Sequence, residues 1–206
     1  MPADGHAASG GAGLDAVFDM ARAAGVRVRA DAFLFCRHGQ TAGNAARIYQ
    51  HAHEPLDAEG HAQAIRAAAA VVAGPRPSRL LASDMARAWL TAGHIASAAR
   101  LPVMPAPGLR ERSFGALLGT SSAGFDWRAD PPGGETLPAF VGRTAAALSD
   151  ALDADGLPMI VAHGGTLLVL AGALGLPLDP ELRANAVPLL IRRAGPAWDM
   201  RPLDRR

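Results

Sequence analysis

Short apolar runs alternate with Ala-rich amphipathic stretches along this chain, and that alternation restricts its fold more than any other feature. Residues 32–36, 79–82, 101–104, 158–162 and 187–192 are short runs of apolar and β-forming residues and read as strands. Helical spacing covers 59–73, closed by Gly74 and Pro75. It returns at 83–100, with Ser83 as the expected cap, and at 135–153 and 166–174. Residues 14–24 place Leu14, Val17, Phe18 and Ala21 on one helical face that closes at Gly25. Residues 105–134 are dense in Pro and Gly and read as loop. Strands alternating with helices predict an α/β fold, three-layer α/β/α with a mainly parallel central sheet. The length of 206 residues suits a single domain over 14–206, after a flexible Ala/Gly/Ser-rich tail over 1–13.

Composition removes several chemistries. All 20 basic residues are arginine. With no lysine there is no Schiff-base amine, no pyridoxal-phosphate lysine and no Walker A phosphate loop. The 20 basic and 19 acidic residues give a net charge of +1, so bulk charge does not suggest a nucleic-acid or membrane-surface partner. Cys36 is the only cysteine, which excludes an intramolecular disulfide. Residues 1–13 lack the basic flank and apolar run of a signal peptide, and no stretch of about 18 residues is apolar enough to span a bilayer. The expectation is a cytoplasmic protein with neither a nucleic-acid nor a membrane partner.

In open α/β sheets, ligands sit beyond the carboxyl ends of the strands. Here those ends are polar. The 32–36 strand runs into Arg37-His38-Gly39-Gln40-Thr41. The 79–82 strand runs into Ser83-Asp84, with Arg87 close behind, and the 158–162 strand runs into His163-Gly164-Gly165. If these strands are neighbours, two histidines and two arginines converge on one edge, beside backbone N–H groups that favour an anion. Phosphate fits such a cluster. Guanidinium forks match its oxygens, a neutral imidazole can attack phosphorus, and fixed positive charge stabilises a metaphosphate-like transition state. Cys36 competes with His38 as nucleophile. A cysteine-dependent phosphatase needs an arginine six positions after its cysteine, where this chain has Ala42. Cys36 therefore reads as the last core residue of its strand. His51, His53 and Glu54 look like a fragment of a metal site, but no fourth ligand is evident and a solvated loop is the better reading. No metal or cofactor is expected.

The segment Arg37-His38-Gly39-Gln40-Thr41-Ala42-Gly43-Asn44 resembles the Arg-His-Gly-x-Thr/Ser-x-x-Asn signature of the histidine phosphatase superfamily, in its phosphoglycerate mutase-like branch. Further segments resemble the family in the same order: Pro55-Leu56-Asp57 through Gln63-Ala64, Ser83 through Ala88, Leu109 through Gly115, Pro131 through Glu135, and His163-Gly164-Gly165. Position by position, the resemblance implies that His38 is the nucleophile that becomes phosphohistidine, while Arg37, Arg87 and His163 bind the phosphoryl group. Glu111 would protonate the leaving oxygen and then assist water. Asn44, Thr41, Gln40 and the Gly164 backbone would line the pocket. The implied activity is hydrolysis of phosphomonoesters of small metabolites without a metal.

Two departures bear on the choice within the family. Mutases of this type carry a longer, basic insertion after the Glu-x-x-Tyr-Gly segment. Here the stretch from Gly115 to Pro131 holds one arginine, Arg128, which favours a phosphatase. A phosphoglycerate mutase-type isomerase is the alternative, and a non-catalytic phosphate-binding module a third. Phe125 and Trp127 could shape an apolar mouth. Asp57 replaces the family's threonine and remains a good helix cap. The 14–24 helix is an addition, expected to cover a sheet edge or to mediate a homodimer.

Overall fold

A computed structural model describes residues 12–203, so the expected tail lies almost wholly outside the described residues. The elements run α1 (Leu14–Ala24), β1 (Ala32–Arg37), α2 (Ala42–Ala46), α3 (Ala58–Ala73), β2 (Arg79–Ala82), α4 (Ala86–Ala99) and β3 (Val103–Pro105). After a long loop with two single 3-10 turns come α5 (Leu137–Leu152), β4 (Pro158–Ala162) and α6 (Gly164–Leu174). A 3-10 turn at Pro180–Arg183 precedes β5 (Pro188–Ala194) and β6 (Ala197–Pro202).

The six strands form one sheet in the order β3-β2-β4-β1-β5-β6. β3, β2, β4 and β1 are parallel, β5 pairs antiparallel with β1, and β6 pairs antiparallel with β5. β4 is buried at every position, as expected of a central parallel strand covered on both faces. The two-residue period of β1 separates its side chains between two cores. Phe33 and Phe35 join residues of α1, α5 and α6. Leu34 and Cys36 face residues of α3 and α4. Helices on both faces of one sheet make the three layers predicted, and each buried Leu or Phe contributes about 1.5–3 kcal/mol.

Two details differ from the sequence expectations. β5 is not the last strand. It turns through Gly195 and Pro196 into β6, whose Trp198 packs edge-on against Phe33 with ring centroids 5.7 Å apart. Pro196 and Asp199 interrupt the β-forming run and hide this strand from a propensity reading. Helix α4 starts at Ala86 with Met85 at the cap position and no side-chain cap, and Ser83, two residues earlier, places its hydroxyl against His163. Helix α1 packs along α6 and α5, with Val17 and Ala21 fully buried.

The loop after β1 rests on the start of α3. Asp57 caps α3 by accepting from the Gly60 N–H at 2.7 Å. A Cβ on Gly60 would overlap the Gln40 carbonyl oxygen, and one on Gly39 would sit 2.5 Å from the Gly60 carbonyl oxygen. Backbone lies on backbone there, so only glycine fits. Gly60→Ala is expected to cost about 1–3 kcal/mol, as overpacking does. Gly93, inside α4 with open space around its Cα, gives the opposite sign. Gly93→Ala should stabilise by about 0.5–1 kcal/mol. Urea denaturation of both variants checks the pair.

Candidate active site

Adjacent parallel strands build the centre of the site. In the β1–β4 ladder Arg37 lies opposite Ala162, so His38 and His163 are each the next residue along. The His38 N–H continues the ladder to the Ala162 carbonyl at 2.9 Å. The two imidazoles lie side by side, with centroids 5.2 Å apart, and both are buried.

The ring of His38 is oriented by its own loop. Nδ1 lies 2.8 Å from the Gly39 carbonyl oxygen. A carbonyl only accepts, so Nδ1 carries the proton and Nε2 keeps its lone pair. Burial, then the charges of Arg37 and Arg87, hold the His38 pKa well below the ordinary histidine value. The ring is therefore a neutral base at neutral pH with Nε2 free to act as a nucleophile. Its loop is tied to α4, because the Gly39 N–H donates to Thr91 Oγ1 at 3.0 Å and Thr91 donates to the Arg87 carbonyl.

His163 is set by Ser83. The Ser83 hydroxyl oxygen accepts from the Met85 N–H at 3.3 Å and lies 2.8 Å from His163 Nε2. The Met85 N–H takes one lone pair of the hydroxyl, and Nε2 is the acceptor that lies within reach of its proton. Nδ1–H is then a donor with no partner in the protein. Burial and the charges of Arg87, His38 and Arg37 keep this ring neutral as well. Sequence reading took Ser83 for a helix cap. Its value lies in the histidine it orients, which only the β2–β4 pairing brings near.

The arginines have donors to spare. Arg37 gives Nη1 to the Arg183 carbonyl at 2.7 Å, and Arg87 gives Nη1 to the His51 carbonyl at 3.0 Å. The Nε of each is buried without a partner. Buried donors are nearly always satisfied, so three orphans around one histidine mark a place for acceptor oxygens. Glu111 closes the group. Its carboxylate accepts from the Gly165 N–H at 2.9 Å and the Arg112 N–H at 3.0 Å. A Cβ on Gly165 would overlap the carboxylate, which explains the second glycine of His-Gly-Gly.

Arg37, His38, Asn44, Arg87 and Glu111 line one cavity of about 270 Å3. His163 lies beside His38, and Gly164 opens α6 and lines a neighbouring cavity. Two expected pocket residues lie elsewhere. The Gln40 amide donates to Asp57 at 3.1 Å and so braces the cap of α3. Thr41 is fully buried as the cap of α2, accepting from the Asn44 N–H and donating to Gln50. Both hold the loop rather than the ligand. Burial pushes the Cys36 thiol up to about 12, so it is inert core as expected. His51 and His53 stack on each other with centroids 5.4 Å apart. Among the described residues no three His, Cys, Asp or Glu side chains converge as metal ligands.

Two residues were missed in the sequence. Asn185 donates to the His38 carbonyl at 2.9 Å and to Asn44 Oδ1 at 3.3 Å, joining both ends of the catalytic loop. Arg112 is a fully buried guanidinium that donates to the carbonyls of Glu135, Trp127 and Ala129. It also sits 5.6 Å from the Phe125 ring centroid, at the edge of an aromatic group with Trp127, Phe114 and Tyr49. Arg128, by contrast, pairs with Asp15 and Asp126.

A mixed α/β sheet with paired histidines and arginines beyond adjacent strand ends is the architecture of a known enzyme class. Residues 33–187 match the histidine phosphatase superfamily (branch 1), and the chain belongs to that family. It is 34% identical over 165 residues to a protein of Proteus mirabilis named "Probable phosphoglycerate mutase GpmB", covering 71% of this chain and 76% of that protein. Its fold is similar to that of a mycobacterial glucosyl-3-phosphoglycerate phosphatase solved with VO3, with TM-score 0.68 and 25% identity over 82% of this chain and 97% of the other. A candidate alpha-ribazole-5'-P phosphatase from Escherichia coli gives TM-score 0.70 and 27% identity, covering 86% and 98%. No helix among the described residues is long and apolar enough to cross a membrane.

Neutral His38 and His163 make a stability prediction. Free imidazole protonates near pH 6.5, whereas both folded rings resist it. Below about pH 6.5 the unfolded chain binds protons that the folded chain does not, so stability falls as pH falls. Each ring can contribute up to about 1.4 kcal/mol per pH unit. Urea midpoints between pH 7.5 and 5.0, without oxyanions, should decline, and His163→Gln should flatten the slope.

Proposed function

We propose that this protein is a phosphatase that hydrolyses phosphomonoesters of small metabolites through a phosphohistidine on His38. The observation that carries this reading is the set of three buried, unpartnered nitrogens, Arg37 Nε, Arg87 Nε and His163 Nδ1, around the neutral His38 ring. They offer hydrogen bonds to the oxygens of a phosphoryl group.

His38 Nε2 attacks phosphorus and forms the P–N bond as the P–O bond to the alcohol breaks. Glu111 enters this step in its protonated form and gives that proton to the leaving oxygen. The two guanidiniums and His163 take the charge that spreads over the three equatorial oxygens, which is the dominant catalytic contribution in phosphoryl transfer. Water then attacks the phosphoenzyme. Glu111 accepts its proton, the P–N bond breaks and inorganic phosphate leaves. The Nδ1 bond to the Gly39 carbonyl helps carry the positive charge on the ring during both steps.

The mutase alternative is supported by the name of the Proteus relative. It needs cations that keep the substrate's carboxylate in place while the phosphoryl group is exchanged. The short loop supplies Arg128, which is paired with acidic residues away from the cavity, and this favours release of the product over its return.

The deciding measurement is phosphate release from a panel of phosphorylated metabolites, with His38→Ala as the blank. Wild-type protein is expected to turn over and to form an acid-labile phosphoenzyme, and His38→Ala to do neither. Arg87→Ala should lower kcat about 100- to 1000-fold, the scale for losing one transition-state donor. Isomerisation of phosphoglycerate outpacing hydrolysis in the presence of a bisphosphate primer would favour the mutase.

A further inference from the structure

We infer that Tyr49 selects the leaving alcohol, its buried hydroxyl donating a hydrogen bond to an uncharged oxygen that the alcohol carries beyond the ester. This rests on the phosphomonoesterase reading and assigns a specificity residue that the phosphoryl chemistry itself does not require.

Six side-chain atoms among the described residues are buried without a hydrogen-bond partner. Three of them surround the phosphoryl position. Two more, Arg79 Nε and Thr144 Oγ1, belong to residues at the start of β2 and within α5, and neither residue lines a hollow beside His38 or Glu111. The sixth is Tyr49 Oη, and Tyr49 lines the same cavity as His38 and Glu111. Buried polar atoms are nearly always satisfied, so an orphan on the wall of a binding cavity marks a seat for a ligand atom.

The orphan is a donor. Burial pushes the Tyr49 hydroxyl up to about 12, so it keeps its proton at neutral pH. Arg112 is the charge that acts on it, but a guanidinium accepts no hydrogen bond. The ring is also held in place. Phe114 packs on it with centroids 4.2 Å apart, and Phe125 meets it edge-on at 5.7 Å. The Tyr49 N–H donates to the Thr120 carbonyl at 3.0 Å, and the Gly119 N–H donates to the Tyr49 carbonyl at 2.9 Å. A donor fixed in this way loses little freedom when a ligand arrives.

The charges around it decide what kind of oxygen it takes. Arg37 and Arg87 serve the phosphoryl group, and Arg112 spends its donors on three carbonyls. Arg47 lies exposed on the cavity rim, where solvent screens it. Ile48 and Phe114 add apolar wall. A neutral donor against apolar surface suits the ether, hydroxyl or carbonyl oxygen of an uncharged carbon skeleton. An alcohol with only carbon at that point leaves the donor unpaired and is rejected for that reason.

Ester pairs matched in shape and charge test the inference: butyl with 2-methoxyethyl phosphate, cyclohexylmethyl with tetrahydropyran-2-ylmethyl phosphate, and propyl phosphate with glycerol 3-phosphate. Wild-type protein should favour the oxygen-bearing member of at least one pair by about tenfold in kcat/KM, the size of one satisfied buried hydrogen bond. Tyr49→Phe keeps the ring and removes the hydroxyl, so it should bring that ratio to about one. Its urea midpoint should stay level or rise, because an unpaired buried donor is lost. Ser122→Ala removes the other hydroxyl residue of the wall and should keep the ratio. Calorimetric binding of the same pairs to His38→Ala reads the preference without turnover, which separates a failure of the catalytic reading from a failure of the Tyr49 assignment. Equal kcat/KM and equal affinity within every pair, or a ratio that survives Tyr49→Phe, overturns the inference.

Discussion

The parallel pairing of β1 with β4 is the contact on which the site depends. With Arg37 opposite Ala162, the residues that follow leave the sheet at the same level, and both are histidines. A one-residue slip would turn Phe33 and Phe35 toward the layer that now holds Leu34 and Cys36. Two cores would be lost together with the site. The hydrophobic pattern that fixes the register therefore also fixes the distance between the two imidazole rings. β2 joins through the same ladder on the other side of β4, and it brings Ser83 to His163.

Positive charge is then concentrated where the protein can least hydrate it. Arg37 and Arg87 stay cationic in a buried setting, and the two histidines respond by staying neutral. Glu111 is the carboxylate among them, and its oxygens already accept from two backbone N–H groups. The net charge of this buried cluster is positive, which disfavours protonation of its imidazoles. Burial first, and then the charges of Arg37 and Arg87, keep His38 unprotonated, so the cationic cluster and the neutral imidazole arise together.

Much of this was legible in the sequence, for a physical reason. Strand cores are short and apolar, so a charged pair such as Arg37-His38 directly after one is conspicuous, and parallel strands put all such ends on one edge. The central strands and the four large helices that flank the sheet follow from periodicity. What escaped reading depends on contacts between distant segments. Ser83 looks like a cap until β4 places His163 beside it. Gln40 and Thr41 lie in the signature yet do not line the cavity, because Asp57 and Gln50 claim their side chains. Asn185 lies 147 residues from His38, and no local pattern announces the bond between them. Arg112 lies in the Pro- and Gly-rich stretch that reads as loop, and its burial follows from three carbonyls that come from the far end of that loop.

Arg112 has a bearing on how this protein can change. Its bonds to the loop go mainly to main-chain oxygens, which every residue possesses. The loop that walls the site is therefore held at positions that impose little demand on side-chain identity. Phe125 or Trp127 can be exchanged while the hydrogen-bonded anchor beneath them persists, so the shape seen by the alcohol can drift independently of the His38 chemistry. A single buried guanidinium thus anchors the loop through its main chain.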